Sequence, residues 1–318
     1  MKIYKSTIKP GETKTISLDI ARLHTRTSIE IPVVVSRAKE EGPCLLLIAG
    51  IHGDEVNGVE IVRQIISKGY HKPIRGTIIC MPVVNVFGFL NQEREFPDGR
   101  DLNRSFPGSR RGSLASRFAY HIVKYVTPHV DVCVDFHTGG GARFNYSQVR
   151  LDEEINQSLD LAKAFGTKFI INAKNRKGSL RKTLGEKGIR TVLYEGGKAI
   201  FLDRSVTQAG LEGSLKVIHE LGMGDYSDYP FQKISDMQYM ITESKWIRAK
   251  YSGMLRMTSR VGSFVEEGQI LGSISDPYGS FEDTIIAPND GFLLCNNHAS
   301  IINQGDAIIH ISEAFDSL

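Results

Sequence analysis

The chain has 318 residues, of which 41% are apolar and 24% charged, and its formal net charge at pH 7 is +3. This is the balance of a globular protein with a sizeable core, long enough for two domains. Without a long block of Lys and Arg, so small a charge excludes an electrostatic nucleic-acid surface. No stretch approaches the ~18 apolar residues that span a bilayer, and the N-terminus lacks signal-peptide features, so no membrane partner is predicted.

The four cysteines, Cys44, Cys80, Cys133 and Cys295, are scattered along the chain without CxxC spacing. Three of them lie inside apolar runs, which is typical of small buried hydrophobic side chains rather than of disulfides or metal ligands. A reducing, cytoplasmic location follows as the prediction.

Strand-like and helix-like segments alternate over the first two thirds of the chain. Polar and apolar residues alternate in places within 14–36, which predicts antiparallel strands at a sheet edge. Short apolar runs predict buried strands at 44–49, 78–84, 130–136, 168–172 and 191–194, and helical spacing predicts helices at 58–67, 114–126, 155–165, 179–187 and 205–221. This alternation indicates parallel strands joined by crossover helices, hence an α/β fold with a wound mixed sheet and flanking helices.

The alternation ends near Gly222, at the linker-like segment GMGDYSDYP. Short strand-like runs separated by glycine turns follow, which predicts a small all-β barrel or sandwich. We therefore divide the chain into an α/β domain at 1–230 and a C-terminal β domain at 231–318.

Chemically reactive side chains follow several of the predicted strands. His52 and Glu55 come after the strand at 44–49, His137 after that at 130–136, and Glu195 after the short strand at 191–194. Ligands of a wound sheet bind outside the carboxyl ends of its strands, so these residues are expected to share one edge.

His52 and Glu55 form an H-x-x-E pair, which places an imidazole and a carboxylate on one side of a tight loop or helix start. That pair by itself is common and is compatible with ordinary loop residues. His137 from a neighbouring strand completes the three protein ligands of a catalytic zinc site, so a metal is favoured. Glu195 is then the natural general base, the alternative being a glutamate that caps the strand end or pairs with Lys198.

The segment REFPDGRDLNRSFPG, residues 94–108, is predicted to be a loop because it contains two prolines and two glycines. Its Arg94, Arg100, Asn103 and Arg104 could bind a substrate carboxylate or stabilise an oxyanion. A solvated basic loop is the alternative.

The segments GIHGDEVNG, PDGRDLNRSFPG, DFHTGG and YEGG, in this order, resemble the succinylglutamate desuccinylase and aspartoacylase family of the zinc carboxypeptidase superfamily. The resemblance spans roughly residues 40–220, and the C-terminal module is similar to the family's second domain. It implies that His52, Glu55 and His137 hold one Zn²⁺ per chain and that Glu195 is the catalytic glutamate. The forms GIHGDE and HTGGG are closer to the broad bacterial deacylase branch, so no particular substrate is implied.

The resemblance also implies roles for polar residues around the metal. The pair that holds the substrate carboxylate falls on Asn103 and Arg104, and the arginine that assists carbonyl polarisation falls on Arg94. Arg181, in a Ser-Leu-Arg context, aligns with a further substrate-binding arginine.

The C-terminal module resembles a barrel-sandwich hybrid of the kind found in lipoyl and biotinyl carriers, but it lacks a comparable modification site. In the family this domain narrows the mouth of the site, which implies small substrates. Tyr251 or Tyr278 is a candidate to reach the active site from this module, although tyrosines at such positions are more often packing residues.

The predicted function is hydrolysis of the amide bond of a small N-acyl amino acid by a zinc-dependent deacylase, with the acylated amino acid as partner and homo-oligomer formation left open. One alternative is a metallocarboxypeptidase acting on short peptides. The other is a non-catalytic binding protein on the same fold, against which the complete ligand set argues.

Overall fold

The computed structural model describes residues 1–232 and 237–318, and its main feature is a twelve-stranded mixed sheet. The strands are β1 Lys2–Ile3, β2 Ser6–Thr7, β3 Thr13–Arg22, β4 Ser28–Arg37, β5 Glu40–Ile48, β6 Arg75–Met81, β7 Val132–Gly139, β8 Arg143–Leu151, β9 Phe169–Asn172, β10 Arg190–Lys198, β11 Tyr239–Arg248, β12 Gly253–Met257, β13 Phe264–Val265, β14 Ile270–Ser275, β15 Glu282–Ile286, β16 Gly291–Asn297, β17 Ile301–Ile302 and β18 Ala307–Ser317. The order in the large sheet is β13-β16-β18-β11-β9-β8-β10-β7-β5-β6-β4-β3.

Helices cover both faces of the central strands. They are α1 Val56–Ser67, α2 Val86–Asn91, α3 Leu114–Tyr125, α4 Glu153–Asn156, α5 Leu159–Phe165, α6 Leu180–Gly185 and α7 Arg204–Glu220, with 3₁₀ turns at Leu102–Arg104 and Thr127–His129. Apolar residues of α1, α5 and α7 pack on one face of the sheet, and those of α3 and α6 pack on the other. The predicted α/β fold with flanking helices is confirmed.

The four central strands β10, β7, β5 and β6 are parallel to one another. Every residue of β7 is buried, as expected for a strand covered on both faces. The hairpin β3–β4 adds antiparallel strands at one edge. All four cysteines are free and buried, in agreement with the sequence.

The α/β region differs from the sequence-based prediction at strand β8 and at the helix predicted over 155–165. Strand β8 reads RFNYSQVRL and carries polar side chains on much of its length, so it has no apolar run that would reveal it. The predicted helix 155–165 is divided into α4 and α5 by Gln157, whose backbone is left-handed (φ 43°).

The C-terminal region is rich in strands, as predicted, and it joins the large sheet directly. Strand β11 pairs parallel with β9, and β16 pairs with both β18 and β8. The pairings β8–β9–β11–β18–β16–β8 thus form a closed ring of five strands. Strands β15-β14-β12-β17 form a separate four-stranded sheet. The domain division at 1–230 and 231–318 stays a prediction.

Within the described part of the chain, none of the helices has the length and apolar character needed to cross a bilayer.

Candidate active site

The loop after β5 and the start of α1 bring His52 and Glu55 to the sheet edge. Gly53 lies against the backbone of α2, because a Cβ there would lie 1.9 Å from the Gly88 carbonyl carbon. Gly58 lets α1 approach β7 closely, since a Cβ on it would lie 2.7 Å from the Cβ of Phe136. These close contacts hold Glu55, at the N-terminal end of α1, beside His137 of β7.

His52, Glu55 and His137 form a compact buried cluster. Nδ1 of His52 lies 2.7 Å from Oε1 of Glu55, and Nδ1 of His137 lies 2.7 Å from Oε2 of the same carboxylate. One ligand atom from each residue lies within 4.8 Å of the other two. The structure therefore brings together the three residues that the sequence predicts as metal ligands.

The other ring nitrogen of each histidine faces a carboxylate, through a hydrogen bond for His52 and through an ion-pair contact for His137. Oδ1 of Asp101 lies 3.1 Å from Nε2 of His52, and Oδ2 of Asp135 lies 3.1 Å from Nε2 of His137. Carboxylates in this position orient ligating imidazoles and raise their basicity. Neither carboxylate is predicted from the sequence, although Asp135 lies two positions before His137 on one strand and so shares its face.

The charges within the cluster stabilise one another. Burial alone would lower the pKa of His137, but Asp135 and Glu55 outweigh it and hold that pKa well above its usual value. Burial alone would raise the pKa of Glu55, but the two histidines hold it well below its usual range. Glu55 thus offers a carboxylate, and the two histidines offer their Nδ1 atoms. A divalent cation could replace the protons held at these atoms, which fits zinc chemistry.

Arg94 links the cluster of His52, Glu55 and His137 to Asp101 of the loop at 94–108. Its Nη1 donates to Oε1 of Glu55 at 3.2 Å, and its Nη2 donates to Oδ2 of Asp101 at 3.0 Å. The guanidinium is therefore fixed beside the predicted metal position, where it could stabilise developing negative charge.

Asn103 and Arg104 lie on the 3₁₀ turn that follows Asp101. The side-chain oxygen of Asn103 accepts a hydrogen bond from the backbone N–H of Leu180 at 2.9 Å. Arg104 donates to the backbone oxygen of Asn103 at 2.7 Å, and burial lowers the pKa of Arg104. Both residues line the cavity, whereas Arg100 is 57% exposed and lies near Asp98.

Arg181 is 7% exposed and lies on α6, on the wall of the same cavity. Its Nη2 donates to the backbone oxygen of Ala173 at 3.2 Å, while its Nη1 is buried without a hydrogen-bond partner among the described residues. Burial and the neighbouring Arg150 lower the pKa of Arg181 to about 10. It remains a cation at neutral pH and offers a free donor to an anion.

Glu195 is the register partner of His137 in the parallel pair β10–β7. Its Oε2 lies 2.6 Å from Nε of Arg150, so the Glu195 carboxylate forms an ion pair with a residue of β8. Both side chains line the cavity that contains the metal cluster.

The cavity has a volume of about 810 Å³, and strands β11, β16 and β18 of the C-terminal region form part of its wall. This wall, which we call the ring wall, consists of Ser244, Trp246, Cys295 and His310. The sequence analysis did not predict it and considered two tyrosines instead. Tyr278 is 89% exposed and Tyr251 packs edge-on against Phe281, and neither lies among the described residues that line the cavity.

Neutral side chains form the ring wall. The His310 ring stacks on Trp246 at 4.7 Å between centroids, and its Nε2 lies 2.9 Å from the Ser244 hydroxyl. Burial, aided by Arg150, lowers the pKa of His310 to about 3, so its imidazole is uncharged at neutral pH. Nδ1 of His310 is buried without a hydrogen-bond partner in the described part of the chain.

Comparison with known proteins agrees with this arrangement. Residues 41–221 match the family model described as the succinylglutamate desuccinylase/aspartoacylase catalytic domain. An N-alpha-acetyl-L-2,4-diaminobutyric acid deacetylase from Halomonas elongata is 30% identical over 92% of this chain and 88% of its own length.

Solved structures share the fold over nearly the whole chain. A succinylglutamate desuccinylase/aspartoacylase from Rhodobacter sphaeroides superposes with a TM-score of 0.84 at 22% identity, covering 99% of this chain and 100% of that one. The product-bound ectoine utilization protein EutE from Ruegeria pomeroyi superposes with a TM-score of 0.81 at 20% identity, covering 96% of each chain. Because the family model covers more than half of the residues and the Halomonas relative almost all of them, the chain belongs to the succinylglutamate desuccinylase/aspartoacylase family.

Proposed function

We propose that this protein is a zinc-dependent amidohydrolase that removes the acyl group from a small N-acylated amino acid. The observation that carries the proposal is the buried cluster of His52, Glu55 and His137, with Glu195 on the adjacent strand of the same cavity. Two imidazoles and one carboxylate are the protein ligands of many catalytic zinc sites. One zinc ion per chain would be held by these three residues.

When bound, zinc would act as a Lewis acid toward the amide carbonyl and lower the pKa of a water molecule. Glu195 would accept a proton from the attacking water and deliver it to the departing amine. Arg94, fixed between Glu55 and Asp101, would stabilise the negative charge that develops on the carbonyl oxygen.

Asn103, Arg104 and Arg181 would anchor the carboxylate of the amino-acid half. A guanidinium recognises a carboxylate through paired N–H donors, and the buried Nη1 of Arg181 lacks such a partner among the described residues. A substrate carboxylate anchored by these residues would hold the scissile amide in a fixed orientation beside the metal site. The reaction would then start from a positioned complex and would not need a bimolecular encounter.

The volume of the cavity and the sequence similarity to the Halomonas deacetylase support a small substrate. A volume of about 810 Å³ lies within the range of pockets for small molecules. The Halomonas relative, 30% identical, is a deacetylase of an N-acetylated amino acid. The buried free cysteines are consistent with the reducing cytoplasm that we propose as its location.

The deciding experiment measures metal content by elemental analysis together with hydrolysis of N-acetyl and N-succinyl amino acids and of short peptides. We expect about one zinc per chain, lost in His52→Ala, and turnover of at least one acyl amino acid. Turnover of the peptides alone would favour a metallocarboxypeptidase. A protein that stays metal-free and inert after zinc addition would favour a binding protein. Lys72→Ala alters an exposed side chain outside the described lining of the cavity, so this control should keep both metal and activity.

A further inference from the structure

Strand β8 places an arginine directly against the proposed general base. Nε of Arg150 lies 2.6 Å from Oε2 of Glu195 as an ion-pair contact without hydrogen-bond geometry, and the two side chains are 22% and 18% exposed. A charge pair in this setting is less screened by solvent than a surface pair, so it restrains both side chains more strongly.

The strand register explains why the two side chains meet. In the antiparallel pair β8–β10, Arg150 is opposite Leu193 and Gln148 is opposite Glu195. Residues two apart on a strand share a face, so Arg150 and Glu195 are diagonal neighbours on the face that lines the cavity. The contact is therefore a consequence of backbone pairing and does not depend on a mobile loop.

The surroundings of Arg150 favour Glu195 as its partner. His310 of the ring wall is neutral, and burial raises the pKa of the Cys295 thiol to about 12, so that it is uncharged too. Two other carboxylates of the cavity, Glu55 and Asp101, are already bound to Arg94 and the metal-site histidines.

We propose that Arg150 is a positioning residue that holds the Glu195 carboxylate in its working orientation. The guanidinium binds Oε2, which leaves Oε1 to exchange the proton with water and the leaving amine. The inference rests on the proposed function of the site. Without Arg150, the glutamate side chain would sample several rotamers, and only a fraction of molecules would hold the base in place.

The magnitude of the effect follows from the geometry of proton transfer. A general base must lie within about 2.6–3.2 Å of the proton it removes. A misplacement of about 1 Å can cost on the order of 100-fold in rate. A loss of this kind falls on kcat, because substrate affinity depends on other contacts.

The test compares Arg150→Met and Arg150→Lys with wild type in the full-length, zinc-loaded protein. We expect kcat to fall roughly 30- to 100-fold in Arg150→Met with KM within about threefold, and Arg150→Lys to regain part of the loss. Arg190→Met removes an ion pair with Asp160 at the other end of β10 and should leave both constants unchanged. Metal content and melting temperature should match wild type in all three.

A second background isolates the contact itself. Glu195→Asp shortens the side chain by one methylene and withdraws its carboxylate from Arg150. Adding Arg150→Met to it should cost less than about threefold, because the contact is already lost.

Several results would overturn the inference. A rise in KM with kcat retained would make Arg150 a substrate contact, and an undiminished loss in the Glu195→Asp background would place its action elsewhere. If wild type hydrolyses a substrate and Arg150→Met matches it, the positioning role alone fails. If wild type hydrolyses none, the proposed function fails and the positioning role fails with it.

Discussion

The cavity has two sides that the chain builds in different ways. On the metal side, His52, Glu55 and His137 extend from the carboxyl-terminal region of neighbouring parallel strands and the first turn of α1. On the ring wall, Ser244, Trp246 and His310 come from β11, which pairs with β9, and from β18, which pairs with β11. The first side is charged and highly connected, and the second is neutral.

This difference separates the two tasks of the site. Charged groups that support one another, as Asp101 and Asp135 support the histidines, would hold the proposed metal and base in place. A neutral aromatic wall, in which Nδ1 of His310 has no partner among the described residues, can contact a substrate without disturbing those charges. We therefore expect changes on the metal side to affect turnover or metal binding, and changes on the ring wall to affect affinity and stability.

Replacing Glu195 by Gln should have the largest effect, since it removes the proposed base while keeping the shape of the side chain. We expect kcat to fall by about 10²–10⁴ with zinc content unchanged. Steady-state kinetics and elemental analysis on the same preparation measure both. Substantial activity in the variant would exclude Glu195 as the base.

Asp101→Asn should weaken metal binding, because Asp101 accepts from Arg94 and lies 3.1 Å from Nε2 of His52. The expected loss of zinc affinity is about 10- to 100-fold, measured by competition with a chelator. Asp98→Asn alters a carboxylate of the same loop near Arg100 and is the matched control. Equal affinities in the two variants would show that the Asp101 contact has no bearing on the metal.

His310→Phe should flatten the pH dependence of stability while keeping the ring stacked on Trp246. The pKa of His310 is about 3 in the folded protein against an ordinary value of 6.5 for histidine, so below pH 6.5 the unfolded chain binds a proton that the folded chain does not. Wild type should therefore lose about 2 kcal/mol more than the variant between pH 7 and pH 5. Denaturant unfolding at both pH values measures this difference. His24→Phe, at an exposed turn, should keep the wild-type dependence, and a wild-type slope in His310→Phe would contradict the buried neutral imidazole.

Trp246→Leu should give the smallest change, because it trims apolar area on the ring wall and leaves the catalytic charges in place. We expect KM to rise about three- to tenfold, with kcat and zinc content near wild type. Comparing KM across the panel of acyl amino acids shows whether the acyl half or the amino-acid half of the substrate contacts the ring wall. A fall in kcat at constant KM would instead assign the ring wall to catalysis.

Much of the α/β architecture could be predicted from the sequence, since buried parallel strands read as apolar runs, as in 44–49 and 130–136. Strand β8 could not, because it faces a polar cavity on one side and its residues lack an apolar period. For the same reason Arg150 and Gln148 could not be predicted as strand residues, because their spacing in the sequence is also compatible with a loop. The place of Arg181 on the cavity wall agrees with its expected substrate role, which stays a prediction.

The amino-acid sequence by itself determined the location of the reactive edge, because side chains that directly follow buried parallel strands must meet at the carboxyl ends of a sheet. That rule is local, and it applies to His52, Glu55, His137 and Glu195 without knowledge of the rest of the chain. Only the tertiary structure decided the opposite wall and the supporting contacts. Ser244, Trp246 and His310 reach the cavity because β16 pairs with β8 and closes the five-stranded ring. Such pairing joins residues about 150 positions apart, and the register that selects which side chains face inward depends on the folded sheet and not on any local pattern.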